Sequence, residues 1–99
     1  MTELDPVIHT PARLRIMTAL NEALEDGDEI AFPALQKLLG MTAGNLTSHL
    51  AKLEDADYVA IAKTFAGKKP VTLISLTPAG RGAFRVYRTA LLDILGGSR

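Results

Sequence analysis

Apolar residues recur at helical spacing through the first part of the chain and at alternating spacing past Tyr58, and prolines and glycines mark the changes. Leu14, Met17, Leu20 and Leu24 fall three or four apart, with Ile16 widening the stripe. This predicts a helix from Thr10-Pro11 to the acidic run Glu25-Asp26-Gly27-Asp28-Glu29. Thr10 can cap it, and Pro11 at the first helical position gives up no needed hydrogen bond. Leu4 to Ile8 reads as a short extra helical turn. Ile30-Ala31-Phe32 reads as an edge strand or extended connector into a second helix, which starts at Pro33, presents Leu35, Leu38 and Leu39 on one face, and stops at Gly40. Thr42 then caps a third helix running to about Asp57. Its Leu46, Leu50 and Leu53, at i, i+4 and i+7, make a buried stripe, with Thr47, Ser48 and Lys52 on other sides. Two helices joined by a tight glycine turn, the second with a polar outer face, form a helix-turn-helix over about 33–57.

After Asp57 the period changes. Tyr58, Val59, Ile61, Lys63 and Phe65 predict one strand, and Val71, Leu73, Ile74 and Leu76 another, with the loop Ala66-Gly67-Lys68-Lys69-Pro70 between them. A hairpin with a basic tip directly after a helix-turn-helix is a wing, here about 58–77. Thr77-Pro78 repeats the threonine–proline start of the first helix and opens a last helix over about 78–95. The predicted fold is α+β, mainly α: a winged helix-turn-helix with a C-terminal dimerisation helix, in a single domain over 1–99.

Composition narrows the chemistry. With 47% apolar residues in 99, one core can form without metal or disulfide staples. The absence of cysteine excludes a disulfide framework, a thiolate metal site and a cysteine nucleophile. His9 and His49 are too few and too far apart for a metal site, so neither metal nor cofactor is expected. The acidic start MTELDPVIHT does not resemble a signal peptide, and no apolar run reaches the roughly 20 residues of a membrane span. A cytoplasmic protein without a membrane partner is expected. The net charge is zero, but residues 1–57 carry four Lys and Arg against ten acids, and residues 58–99 carry seven against one. Such a division favours a basic face for phosphate if the fold gathers the cations.

Three groups of residues are candidates for function. Thr42, Ala43, Gly44, Asn45, Thr47 and Ser48 lead the third helix, and all are small or able to exchange hydrogen bonds, as a helix entering a major groove about 12 Å wide requires. Asn45 can donate and accept together, as a bidentate contact to adenine needs, His49 could reach a phosphate or a base edge, and Lys52 is a further DNA-binding candidate on the same helix. Gly44 is costly inside a helix, which points to a close approach by DNA or by a neighbouring helix. Lys63, Lys68 and Lys69 on the wing would meet flanking phosphates, although lysines also protect strand edges from aggregation. Phe84, Tyr87, Leu91, Ile94 and Leu95 belong to an apolar surface on the last helix wider than so small a core needs, and this predicts pairing with a second copy.

The strings Gly44-Asn45-Leu46-Thr47-Ser48-His49-Leu50, Leu53-Glu54, Tyr58-Val59 and Leu76-Thr77-Pro78-Ala79-Gly80 resemble small winged-helix transcriptional regulators related to the MarR and ArsR groups, and the resemblance spans nearly the whole chain. It implies a homodimer on double-stranded DNA, with Asn45, Ser48 and their neighbours facing the major groove and Lys68-Lys69 meeting backbone or minor groove. It implies sequence-specific transcriptional control, expected to be repression. The cysteine metal sites of some ArsR-like proteins do not carry over, and any small-molecule effector would have to bind at the dimer interface without the sequence naming it. Catalysis is not expected, because no phosphate loop, Ser-His-Asp set or paired carboxylates occur. The rival reading is a winged-helix module that binds protein rather than DNA, which the acidic first half would suit.

Overall fold

A computed structural model describes residues 3–96. The helices are α1 (Pro11–Ala23), α2 (Phe32–Leu39), α3 (Ala43–Asp55) and α4 (Pro78–Ile94), and the strands are β1 (Ile30–Ala31), β2 (Val59–Ala66) and β3 (Lys69–Leu76). The strands form one antiparallel sheet in the order β1-β3-β2. The architecture is α+β, mainly α: a three-helix core carrying a β-hairpin wing, closed by α4.

Three threonines start three of the helices in the same way. Thr10, Thr42 and Thr77 each hold extended backbone and accept, through Oγ1, the N–H of Arg13, Asn45 and Gly80. The stripes predicted from spacing fill one core, in which Ile16, Met17, Leu20, Leu35, Leu46, Leu53 and Ile74 are fully buried. Gly40 ends α2 at φ 67, the left-handed geometry that glycine enters without a side-chain clash.

Several boundaries differ from expectation. Leu38, placed on the buried face of α2, is 58% exposed, because so short a helix packs only Leu35 and Leu39 inward. The third helix stops at Asp55 rather than Asp57, since Asp57 turns to φ 64 and leaves helical geometry. The five-residue wing loop shrinks to two residues: Gly67, at φ 65, supplies the positive φ that such a tight turn needs, so Ala66, Lys69 and Pro70 join the strands.

The N-terminal segment is tied to the rest by side chains whose roles the sequence did not disclose. Ile8 is fully buried, the Tyr58 hydroxyl donates to the Asp5 carboxylate, and the Tyr87 hydroxyl shares a 2.8 Å hydrogen bond with His9 Nδ1. The hydrogen bond to Asp5, then burial and the carboxylate's charge, push the Tyr58 phenol from 10.0 up to about 12. Because its folded value is the higher one, this tyrosine's contribution to stability is intact below pH 10.0 and is lost as the pH rises through about 12. Burial likewise raises Tyr87.

Where α4 begins, the chain turns back on the α3–β2 junction. Thr77 N–H donates to Tyr58 O at 3.1 Å and Thr77 Oγ1 donates to Asp57 O at 2.6 Å. Gly80 then passes so close that a Cβ on it would stand 2.0 Å from Tyr58 O. Arg81 anchors α4 to the end of α1: it donates to Asn21 Oδ1 and Leu24 O, with its Nε 2.8 Å from Asp26 Oδ1.

Candidate nucleic-acid interface

Burial of Leu46, Leu50 and Leu53 fixes the rotation of α3 about its own axis. With those three inward, helical geometry of about 100° per residue turns Ser48 and Gly44 directly outward. It sets Asn45 and Lys52 on one flank and Thr47 on the other. Thr42, Ala43, Gly44, Asn45, Thr47, Ser48 and Lys52 are all exposed. A helix of 13 residues is about 20 Å long, long enough to lie along a major groove. A Cβ built on Gly44 meets nothing within 4 Å, so no neighbouring helix accounts for this glycine, and the space beside it is open.

His49 stands apart from these residues. It is half-buried, and its Nδ1 lies 3.2 Å from Nη1 of Arg13 on α1. A guanidinium can only donate, so Nδ1 is the acceptor in this contact. Arg13 also donates through Nε to Val7 O, and thereby ties the N-terminal segment to α3. An arginine among the apolar positions of α1 gave no sign of this role, which depends on a contact 36 residues away.

Between α3 and the hairpin runs a groove of about 570 Å³, with Thr47, Ala51 and Glu54 on the helix side and Ile61, Lys63 and Thr72 on the strand side. Lys63 therefore faces α3, while Lys68 lies in the turn and Lys69 opens β3, and all three are exposed. The hairpin holds three lysines and no acid. The fold thus sets Lys63 beside α3 and leaves Lys68 and Lys69 at the hairpin turn, while Arg81 is held in the α1–α4 anchor. Arg85 and Arg88 stay exposed on α4.

The residues expected at a dimer contact divide. Phe84 and Tyr87 are 7% and 2% exposed, because α4 turns Gly80, Phe84, Tyr87 and Ala90 onto the core. They close the chain's own core and are not free for a partner. Leu91 is half-buried, and Ile94 and Leu95 are 59% and 70% exposed, as is Val86 at 65%. Among the described residues no helix is long and apolar enough to cross a membrane, and no three His, Cys, Asp or Glu side chains cluster as metal ligands.

This arrangement recurs in known proteins. A solved transcriptional regulator homologue of Pyrococcus horikoshii is 30% identical and superposes with a TM-score of 0.81, covering 92% of this chain and 86% of its own. A possible transcriptional regulator of Methanosarcina mazei, 19% identical, shares the fold with a TM-score of 0.63 over 91% of this chain and 76% of its own. An uncharacterized protein of Methanocaldococcus jannaschii is 36% identical over 63 residues, 64% of this chain and 68% of that protein. The resemblance to small winged-helix transcriptional regulators thus extends to the three-dimensional structure. The model of the winged helix DNA-binding domain matches residues 12–95, and the chain belongs to that family.

Proposed function

We propose that the protein binds double-stranded DNA sequence-specifically as a homodimer and regulates transcription, acting in the cytoplasm as a repressor rather than as an enzyme. The observation that carries this reading is the outward face of α3, where Thr42, Asn45, Thr47 and Ser48 stand exposed beside an acid-free hairpin bearing Lys63, Lys68 and Lys69. Base edges would be read by the helix and phosphates held by the wing. Pairing rests on Leu92, Ile94 and Leu95, apolar and exposed near the end of α4, where water contact is unfavourable unless another surface covers them. A two-fold pair would present two α3 helices to half-sites about one DNA turn apart. Repression is the simplest consequence of such a dimer, which excludes other proteins from the duplex it occupies.

Selection of duplexes from a random library, followed by electrophoretic shift across a salt series, tests the reading. A defined and recurring sequence should emerge. Lys68→Ala with Lys69→Ala should weaken binding to selected and random duplex alike and reduce the salt slope by about 0.9 for each lost phosphate contact. An unchanged slope would remove the wing from the interface. Failure of the wild type to shift any duplex would favour the protein-binding alternative.

A further inference from the structure

The wing carries an aromatic side chain that the core does not use. Along β2, Val59, Ile61, Lys63 and Phe65 occupy one face, paired in turn with Leu76, Ile74, Thr72 and Pro70 of β3. The inner members of this ladder pack on the core, and Lys63 with Thr72 line the groove toward α3. Phe65 continues the same face two residues, about 7 Å, further out, past the support of the helix. It is 69% exposed, and its cross-strand neighbour is the proline ring of Pro70. At the outer end of the wing Pro70 lies beyond β1, which pairs only with Leu73 and Ile74, so its missing N–H leaves no gap in the ladder.

An exposed phenyl ring set on a proline, with Lys63 behind it and Lys68 and Lys69 at the adjoining turn, fits a surface that alternates negative charge with apolar patches. The rim of a DNA minor groove is such a surface: phosphates lie at spacings that lysines can reach, and the deoxyribose rings between them present C–H groups. Resting on the DNA-binding reading above, we propose that Phe65, backed by Pro70, is a further DNA-contacting residue. Its ring packs against deoxyribose in the minor groove next to the major groove that α3 occupies. The lysines hold phosphate on either side, and the ring adds an attraction that salt does not screen. Duplex DNA is favoured over an anionic lipid surface because Phe65 lies on the hairpin face turned toward α3, continuous with that helix's polar residues.

The test compares wild type, Phe65→Ala and Phe65→Leu on a duplex selected by the wild type from a random library, with hydroxyl-radical cleavage of the sugars, affinity across a salt series, and sedimentation. Because Phe65 lies outside the core, all three should melt alike. Phe65→Ala should lose affinity roughly tenfold, the scale of burying much of a phenyl side chain, with an unchanged salt slope. Protection of minor-groove sugars at the edge of the site should disappear, and Phe65→Leu should restore part of both. Wild-type affinity and footprint in Phe65→Ala would overturn the contact while leaving DNA binding intact. A reduced salt slope would make the effect electrostatic and overturn it too. A change in sedimentation would reassign Phe65 to contact between copies, and selective loss of binding to phosphatidylglycerol vesicles would reassign it to lipid. A wild type that binds no duplex would bring down this contact and the DNA reading together.

Discussion

Gly80→Ala is expected to lower the unfolding free energy by about 3 kcal/mol, the upper end of what overpacking costs when neighbours cannot move. The Cβ would stand 2.0 Å from the carbonyl oxygen of Tyr58 and 2.8 Å from its carbon. Both are backbone atoms, held by the Thr77 N–H on Tyr58 O and by the Thr77 hydroxyl on Asp57 O. Relief therefore requires α4 to move off the α3–β2 junction, with partial exposure of Phe84 and Tyr87. Urea denaturation followed by circular dichroism would show the change as a lower midpoint. A variant within about 0.5 kcal/mol of wild type, the range of ordinary surface substitutions, would mean that α4 does not sit as described.

Ile94→Glu is expected to leave the protomer folded and to abolish its association. Ile94 is 59% exposed within the protomer, so a carboxylate there costs the fold little, whereas covered by a partner it would be a charge without a counter-ion. Sedimentation should give half the wild-type mass at micromolar concentration. Operator affinity should fall by about a hundredfold or more as two linked half-site contacts become independent. Leu91→Glu is a poorer test, because Leu91 is half-buried and its loss mixes folding with association. Unchanged mass in Ile94→Glu, or a monomeric wild type, would remove the two-fold model.

What could be read from the sequence was local. The threonine–proline starts at Thr10 and Thr77, the glycine stop at Gly40 and the Leu46-Leu50-Leu53 stripe specify their elements through neighbours within a few residues, and the structure keeps them all. The sequence was silent where a residue's role depends on distant chain. Gly44 and Gly80 look alike on paper, each a glycine in the first turn of a helix, yet the first borders empty space and the second a backbone carbonyl. Arg81 anchors α4 to residues some 60 positions earlier in the chain, and Arg13 bonds His49 36 positions later. The apolar width of α4 was visible, but spacing does not say which side of a wide stripe the core will take; Phe84 and Tyr87 went inward and Ile94 and Leu95 did not. Phe65 passed as an ordinary strand residue because alternation fixes a face but not where along the hairpin the support of the core ends.

The central claim is that α3 reads bases, and Asn45 tests it most directly. Its side chain is exposed, and its backbone N–H is already bonded to Thr42 Oγ1, so Asn45→Ala leaves the helix cap in place. The measurement is the affinity of wild type and Asn45→Ala for the selected operator, for single-base variants of it, and for random duplex, at one salt concentration. The account predicts a loss of about 1 to 3 kcal/mol at the operator, relaxed preference at one base pair in each half-site, and nearly unchanged binding to random duplex. An equal loss on all three would confine Asn45 to the phosphate backbone, and no loss on any of them would contradict the assignment of α3 as the reading surface.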